Sequence, residues 1–303
     1  MGNIVLLFLC LMLGMALRAS GRVPDNAHQT INAFVINVSL PALALLQIPL
    51  LQFNRQLLVP VSMPWLMFTA VAASIWLIGS RLRLTPATTG ALVLTAGLGN
   101  TSFVGVPMIE SFYGRPYMAV GLLIDQLGTY LVLSTLGITI ACLCSRGTAS
   151  IKEVAWRVAS FPPLIALAVA LAVAAARLPY PPLVGDILQR LAVTLAPLAL
   201  VSVGLQLRFG ALRGKLCQLG LGLGIKLVAA PLLLAIVYLG WVGASGPMTR
   251  VTLFEAAMGP QIGGAIIATQ YGLDPPLVTL MVGIGTLAAF LSLPAWWYAL
   301  SFA

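Results

Sequence analysis

Charge is what this sequence most lacks: only 8% of its 303 residues are charged, whereas a soluble globular chain has about 25%. Hydrophobic residues make up 60% of the chain and the mean hydropathy is +1.03, which excludes a water-soluble fold. Acidic residues are the scarcest, with seven Asp and Glu against sixteen Lys and Arg. The basic residues stand singly between apolar runs, as in the loops of membrane proteins, and this spacing argues against a nucleic-acid partner.

Residues for metal, nucleotide and enzyme chemistry are also sparse. The chain has four cysteines and one histidine, and we interpret the cysteines as small packing residues and expect no metal or other cofactor. No Gly-Lys-Ser or Gly-Lys-Thr phosphate loop occurs, which argues against ATP-driven transport. Intramembrane prenyl transferases and aspartyl proteases need paired aspartates. Only Asp125 lies deep in an apolar run, so we do not expect this protein to be an enzyme.

Long apolar runs are abundant, and each membrane-spanning helix needs about 20 such residues. Polar or Gly/Pro residues separate the runs. The predicted spans cover 2–17, 31–50, 58–79, 86–109, 115–143, 153–176, 184–207, 216–240, 249–270 and 275–301. We therefore predict an all-α polytopic membrane protein with ten transmembrane helices. Because Arg18 and Arg22 follow the first run, we expect it to remain as a span and not to be cleaved as a signal peptide.

The basic residues also predict the orientation in the membrane. Loops after odd-numbered spans hold nine Lys or Arg residues, and loops after even-numbered spans hold four. Positive loops stay in the cytoplasm, so both termini are predicted on the non-cytoplasmic side. The first set is Arg18, Arg22, Arg81, Arg83, Arg146, Lys152, Arg208, Arg213 and Lys215; the second is Arg55, Arg115, Arg177 and Arg250.

Two patterns occur in the same order in both halves of the chain. Pro41 precedes Phe53 by twelve residues, as Pro197 precedes Phe209. A glycine-rich, polar interruption of an apolar run then follows in each half, at spans 4 and 9, and each of these spans closes with Tyr-Gly. These matches indicate an internal repeat.

Each half contains five spans, an odd number, so the second half must be inverted relative to the first. We predict a first five-helix repeat over 1–145 and an inverted second repeat over 152–303. Inverted repeats are a transporter architecture with the site at the repeat interface near the membrane midplane.

Spans 4 and 9 are predicted to be broken helices. In span 4 we expect unwinding at 97–99 and a new half-helix near Asn100; in span 9 we expect Pro260 in the first turn of the new half-helix. Gly and Pro are also frequent in membrane helices that are merely kinked, but two breaks at corresponding positions favour a binding site. The predicted substrate-binding residues are Gly99, Asn100, Thr101, Gly259, Pro260 and Gln261, with Pro107 and Gly263 as helix-breaking residues.

The predicted site suits an anion. Non-helical backbone at membrane depth is tolerated only inside the protein or beside a cavity. Two half-helix N-termini would point at one place, each equivalent to about half a positive charge. The amides of Asn100 and Gln261 would add donors to that cradle.

Three segments resemble the auxin efflux carrier family. They are Gly-Asn-Thr-Ser-Phe-Val-Gly-Val-Pro at 99–107, Glu-Ala-Ala-Met-Gly-Pro-Gln at 255–261 and Lys-Leu-Val-Ala-Ala-Pro at 226–231, and the similarity extends over essentially the whole chain. The resemblance implies a carrier of organic carboxylates: auxin in the plant members, and malonate, malate and related acids in bacterial members.

The resemblance further implies a scaffold of spans 1, 2, 6 and 7, a moving domain of spans 3–5 and 8–10, and an elevator-like mechanism. It implies a homodimer formed through the scaffold, in the plasma (inner) membrane. The chain departs from the plant pattern in three places: Gly99 stands where the family often has Pro, the long cytoplasmic loop shrinks to about 145–152, and span 3 has no charged residue. Malonate- or malate-sized acids are therefore favoured over auxin.

Three ionisable residues fall inside predicted spans, where each costs about 2.5–3.5 kcal/mol on insertion scales. They are Asp125, Lys226 and Glu255. Either carboxylate could form a structural ion pair with Lys226. Alternatively, one carboxylate takes up a proton during transport and Lys226 supports anion binding. Glu110, nearer the end of span 4, is expected at the mouth of the site.

The leading functional hypothesis is a secondary carrier of small organic anions. The alternative is a sodium-coupled carrier of the bile-acid symporter or sodium–proton antiporter type, which shares the inverted five-span plan. Such carriers would want clustered acidic or polar ligands at the crossing, where span 9 offers only Gln261 and the more distant Glu255. A retinal receptor using Lys226 is disfavoured by ten spans with two breaks.

Overall fold

The computed structural model describes residues 2–50, 57–145, 152, 156, 159, 160, 162–176, 180–206 and 214–302. Within these ranges the chain is helical apart from turns, and the only β-type pairing is an isolated bridge between Gly99 and Pro260. The predicted all-helical class is confirmed for this part of the chain.

Twelve helices are numbered here in chain order over the described residues. They are α1 (Gly2–Ala19), α2 (Ala27–Leu50), α3 (Leu58–Arg81), α4 (Pro86–Ala96), α5 (Val106–Phe112), α6 (Arg115–Cys144), α7 (Pro162–Ala176), α8 (Pro182–Gln206), α9 (Leu216–Trp241), α10 (Pro247–Ala256), α11 (Ile262–Gln270) and α12 (Pro275–Leu300). The π-helical turn Thr101–Gly105 leads directly into α5.

Six of these helices are long and apolar enough to cross a membrane by themselves, with 24 to 30 residues each: α2, α3, α6, α8, α9 and α12. Helices α1 and α7 correspond to predicted spans 1 and 6. Predicted spans 4 and 9 are each divided in two, as α4 and α5 and as α10 and α11. The structure thus supports a polytopic membrane protein, whereas the number of ten spans and their repeat remain predictions.

Proline and threonine explain where several helices begin. Pro86, Pro247 and Pro275 occupy the first position of α4, α10 and α12, where the missing N–H would have no helical partner. Thr85 precedes α4 with extended backbone, and its side chain accepts a hydrogen bond from the Thr88 N–H at 3.2 Å. This is the N-cap arrangement expected of threonine.

The chain divides into two compact units. The first unit comprises Met1–Asn54, Ser102–Leu122 and Trp156–Leu207, and the second comprises Arg55–Thr101, Leu123–Ala155 and Arg208–Ala303. In the first unit α1 packs along the second half of α8. A Cβ at Gly14 would lie 2.2 Å from the Val201 carbonyl oxygen, so only glycine permits this approach.

The second unit is built on equally close backbone contacts. Helix α4 packs against α11 and α12, and α10 packs against α3, α9 and α12. A Cβ at Gly264 would lie 2.2 Å from the Leu94 carbonyl oxygen, and one at Gly128 would lie 2.4 Å from the Pro64 ring. These contacts hold α4, α10 and α11 in one tightly packed core.

Several residues used in the predictions lie outside the described ranges. They are Phe53 and Phe209 of the repeat pattern, and Arg55, Arg146, Arg177, Arg208 and Arg213 of the charge comparison.

Candidate functional site

The two broken spans meet within the second unit. Helix α4 ends at Ala96 and α10 ends at Ala256, and non-helical residues follow both. The Asn100 N–H donates a hydrogen bond to the Gly259 carbonyl at 2.9 Å, and Gly99 pairs with Pro260 in an antiparallel bridge. The predicted site residues of both spans therefore lie side by side at one crossing.

The backbone is closely packed on both sides of this crossing. A Cβ at Gly99 would lie 3.2 Å from the Glu255 carbonyl oxygen and 3.4 Å from Lys226 Nζ. One at Gly259 would lie 3.3 Å from the carbonyl oxygen of Gly285 on α12. Larger side chains at either position would push the crossing backbones apart.

The exact position of the proline differs from the prediction. Pro260 lies in the bridge, two residues before α11 begins, and not in the first turn of that helix. The bridge hydrogen bond is donated by Asn100 and accepted by Gly259, so the N–H that proline lacks is not needed there. Helices α5 and α11 continue past Pro107 and Gly263, their second residues; both residues follow the breaks and do not form them.

Thr101 is already engaged by an acidic side chain. Its Oγ1 donates a hydrogen bond to Asp125 Oδ1 at 2.6 Å, and Gln126 Nε2 donates to Asp125 Oδ2 at 2.6 Å. All three residues are buried. The Thr101 hydroxyl proton is therefore unavailable to a ligand, and both carboxylate oxygens of Asp125 have a donor.

Asp125 and Lys226 both lie in π-helical turns, Ile124–Tyr130 and Ile225–Ala229. Such turns are frequent at functional sites, although others occur elsewhere in this chain. Lys226 is completely buried, and its Nζ donates to the Ala256 carbonyl at 2.9 Å and lies 3.8 Å from Met67 Sδ. The ammonium group thus meets the negative end of the α10 dipole.

Glu255 has no such partner. Its side chain is completely buried, and neither carboxyl oxygen forms a hydrogen bond with any described residue. It lies within electrostatic reach of Asp125 and Lys226. Lys226 forms no ion pair within 4.0 Å with a carboxylate of the described residues, so a direct Lys226–carboxylate contact is not present in this conformation.

Gln261 lies at the start of α11. Its Nε2 is 3.7 Å from where a Cβ at Gly263 would be, and its Oε1 is 3.6 Å from the equivalent point at Gly264. Its Oε1 is buried without a hydrogen-bond partner among the described residues, and the first turn of α11 contains no acidic residue. No acidic residue of this first turn therefore offsets the positive end of the helix dipole.

Glu110, the predicted mouth residue, lies in the first unit. It forms an ion pair with Arg115 at 3.0 Å beside a small pocket that is also lined by Gln47 and Gln189. These two glutamines are site-lining residues that were not predicted, although each is a polar residue in an apolar run. The Ala256 carbonyl could not be predicted either, because a main-chain group has no signature in the sequence.

A separate polar cluster ties together the starts of α4, α9 and α12. Asp274 Oδ2 accepts hydrogen bonds from Lys215 Nζ at 2.7 Å and from Thr88 Oγ1 at 2.8 Å. Burial of Asp274 opposes its charged form, but the bonds from Lys215 and Thr88 outweigh it, so its pKa lies below the ordinary value. This cluster fastens helix ends and is distinct from the crossing.

Comparison with known proteins gives concordant results over the full length. A family model described as Membrane transport protein matches residues 1–297. An uncharacterized transporter of Methanothermobacter thermautotrophicus is 29% identical over 290 residues, which cover 94% of this chain and 93% of the relative. An uncharacterized transporter of Methanocaldococcus jannaschii is 25% identical over 311 residues, covering 98% of both chains.

Proposed function

Because the chain belongs to the membrane transport protein family, which includes the auxin efflux carriers, we propose that it is a secondary carrier of small organic carboxylate anions. The observation that carries this proposal is the crossing of the two broken spans, where Asn100 is hydrogen-bonded to Gly259. A crossing of this kind exposes helix ends in the interior of the protein, where their partial charges are poorly screened.

The carboxylate is proposed to bind at the start of α11. The N-terminus of α11 supplies about half a positive charge, and its first turn has no acidic residue to neutralise it. The Gln261 side chain lies over this turn and can donate through its amide. A neutral or cationic ligand would gain little from such a field.

The other half-helix start contributes less to anion binding. Its first residue, Thr101, is held by Asp125, whose negative charge offsets the helix dipole there. We therefore propose Gln261, Pro260 and Gly259 as the principal substrate-binding positions, with Gly99 and Asn100 as the backbone that supports them.

The wider architecture is part of the same proposal. Ten spans form two inverted repeats, with a scaffold of α1, α2, α7 and α8 and a moving domain of the remaining helices. The division of the chain into two compact units supports this scheme, although 102–122 groups with the first unit where the scheme assigns it to the moving domain. The carrier is proposed to work as a homodimer through its scaffold, by an elevator-like shift, in the plasma membrane with both termini outside.

A sodium-coupled carrier is less well supported. The buried ammonium group of Lys226 lies at the crossing, 3.4 Å from the Cβ position of Gly99, and would repel a metal cation nearby.

Ligand-induced thermal stabilisation of the purified protein tests the proposal. Malonate and malate are expected to raise the melting temperature, and malonamide, the uncharged analogue of malonate, is not. Gln261→Ala should remove the shift, whereas Gln218→Ala on α9 should keep it. Equal stabilisation by acid and amide, or stabilisation by organic cations alone, would contradict an anion site.

A further inference from the structure

The three ionisable groups buried near the crossing differ in how they are satisfied. Asp125 accepts hydrogen bonds from Thr101 and Gln126, and Lys226 donates to the Ala256 carbonyl. Glu255 is completely buried, yet both its carboxyl oxygens lack a hydrogen-bond partner among the described residues. Asp125 and Lys226 thus have partners suited to their charged forms, whereas Glu255 has none among the described residues.

The charge balance leads to the same conclusion. The negative charge of Asp125 and the positive charge of Lys226 offset each other. An ionised Glu255 would add a second negative charge in the protein interior without a donor to stabilise it, which is strongly unfavourable. A protonated, neutral Glu255 avoids this cost.

The helices packed against α10 carry few other titratable groups. Helix α10 packs against α3, α9 and α12, and Asp125 and Lys226 act electrostatically on Glu255. The remaining titratable residues of these four helices are Arg81, Cys217, Tyr238, Arg250 and Tyr298.

We propose that Glu255 is a proton-binding residue that couples carboxylate transport to proton movement. It holds a proton in the conformation described here and releases it to water in another state of the transport cycle. One proton is therefore transported with each carboxylate. The inference rests on the proposed carboxylate carrier. Glu255 is suited to this role because it is the penultimate residue of α10, and its carbonyl oxygen accepts the Met258 N–H at 3.1 Å within the break.

The first experiment needs no transport. Glutamine has the shape of a protonated glutamic acid, so Glu255→Gln should melt within about 2 °C of wild type at pH 7 in detergent. If Glu255 were instead an ionised partner of Lys226, its loss would lower the melting temperature by about 5 °C or more. Restoration of that loss by adding Lys226→Met would confirm the ion pair and overturn the proposal.

The second experiment measures radiolabelled malonate uptake into proteoliposomes. An inward-directed proton gradient, with the outside more acidic than the lumen, should accelerate wild-type uptake at least about threefold. Glu255→Gln should retain malonate exchange at a reduced rate and lose the response to the gradient, whereas Asp186→Asn, at an exposed site, should retain that response. A gradient response that survives in Glu255→Gln, or acceleration by sodium in place of protons, would overturn the coupling role.

The two experiments separate the two proposals. Wild-type protein that neither binds nor carries any carboxylate would refute the carrier, while the melting temperatures would still decide whether Glu255 is protonated. Carboxylate transport without proton dependence would leave the carrier standing and refute the role of Glu255.

Discussion

The two broken spans share a backbone plan but differ in charge. At the break of span 4, the new half-helix begins at Thr101, whose hydroxyl is bound by the carboxylate of Asp125. At the break of span 9, α11 begins after Gln261 without an acidic residue in its first turn. The comparison teaches that two broken helices can cross with similar backbones and different charges, and it supports the proposal that the anion binds at α11.

The largest expected effect comes from making span 9 resemble span 4. Gln261→Glu keeps the side-chain shape and places a negative charge at the start of α11, where it would repel a bound carboxylate. We expect malonate affinity to fall about 100-fold, equivalent to about 2.7 kcal/mol, as measured by calorimetry. Gln218→Glu is the matched control, and equal losses in both variants would refute the special role of α11.

Removing the positive charge beside the α10 end should have the next largest effect. Lys226→Met leaves the Ala256 carbonyl without its donor and Asp125 without a compensating charge. We expect a loss of about 1–3 kcal/mol in stability, seen as a lower melting temperature, with Lys226→Arg less affected. If Lys226→Met were as stable as wild type but lost only dicarboxylate binding, Lys226 would be a direct ligand.

Neutralising Asp125 should strengthen anion binding, the opposite of the effect expected for Gln261→Glu. Asp125→Asn preserves the side-chain size and removes the charge that offsets the half-helix dipole at Thr101. We expect malonate to bind up to about fivefold more tightly, since one unit of negative charge near an anion is gone. Complete loss of binding in this variant would mean that the Asp125 charge is itself required by the site.

The smallest effect is expected away from the crossing. The lowered pKa of Asp274 means that its carboxylate stabilises the fold above the unfolded-state pKa, about 3.9, and that this contribution is lost as pH falls through the lower folded value. Asp274→Asn should therefore melt at a lower temperature than wild type at pH 7. Below about pH 4, the difference in melting temperature between the two proteins should become smaller. Malonate binding at pH 7 should not change.

The sequence located the crossing well because its signals are local. Glycine at 97 and 99 and the polar run from Asn100 predicted where span 4 unwinds, and the structure ends α4 at Ala96 and resumes helix at Thr101. The placement of Pro260 in the first turn of α11 was wrong, because its position depends on a hydrogen bond between two distant segments.

The partners of the buried charges could not be predicted for the same reason. Residue types suggested a Lys226–carboxylate pair, but a main-chain carbonyl accepts the bond. Packing, not composition, determines which group reaches Nζ. The family membership was predictable from the segments at 99–107 and 255–261 and is confirmed by the match over residues 1–297.

The contact between α1 and α8 has a consequence for the order of assembly. Gly14 meets the Val201 carbonyl, and Arg18 donates to the Leu205 carbonyl, 187 positions further along the chain. A ribosome makes about 5–20 residues per second, so α1 waits roughly ten seconds or more in the membrane before α8 exists. During that interval the glycine face of α1 must rest against lipid or a temporary partner, and the first unit is completed only after most of the protein has been synthesised.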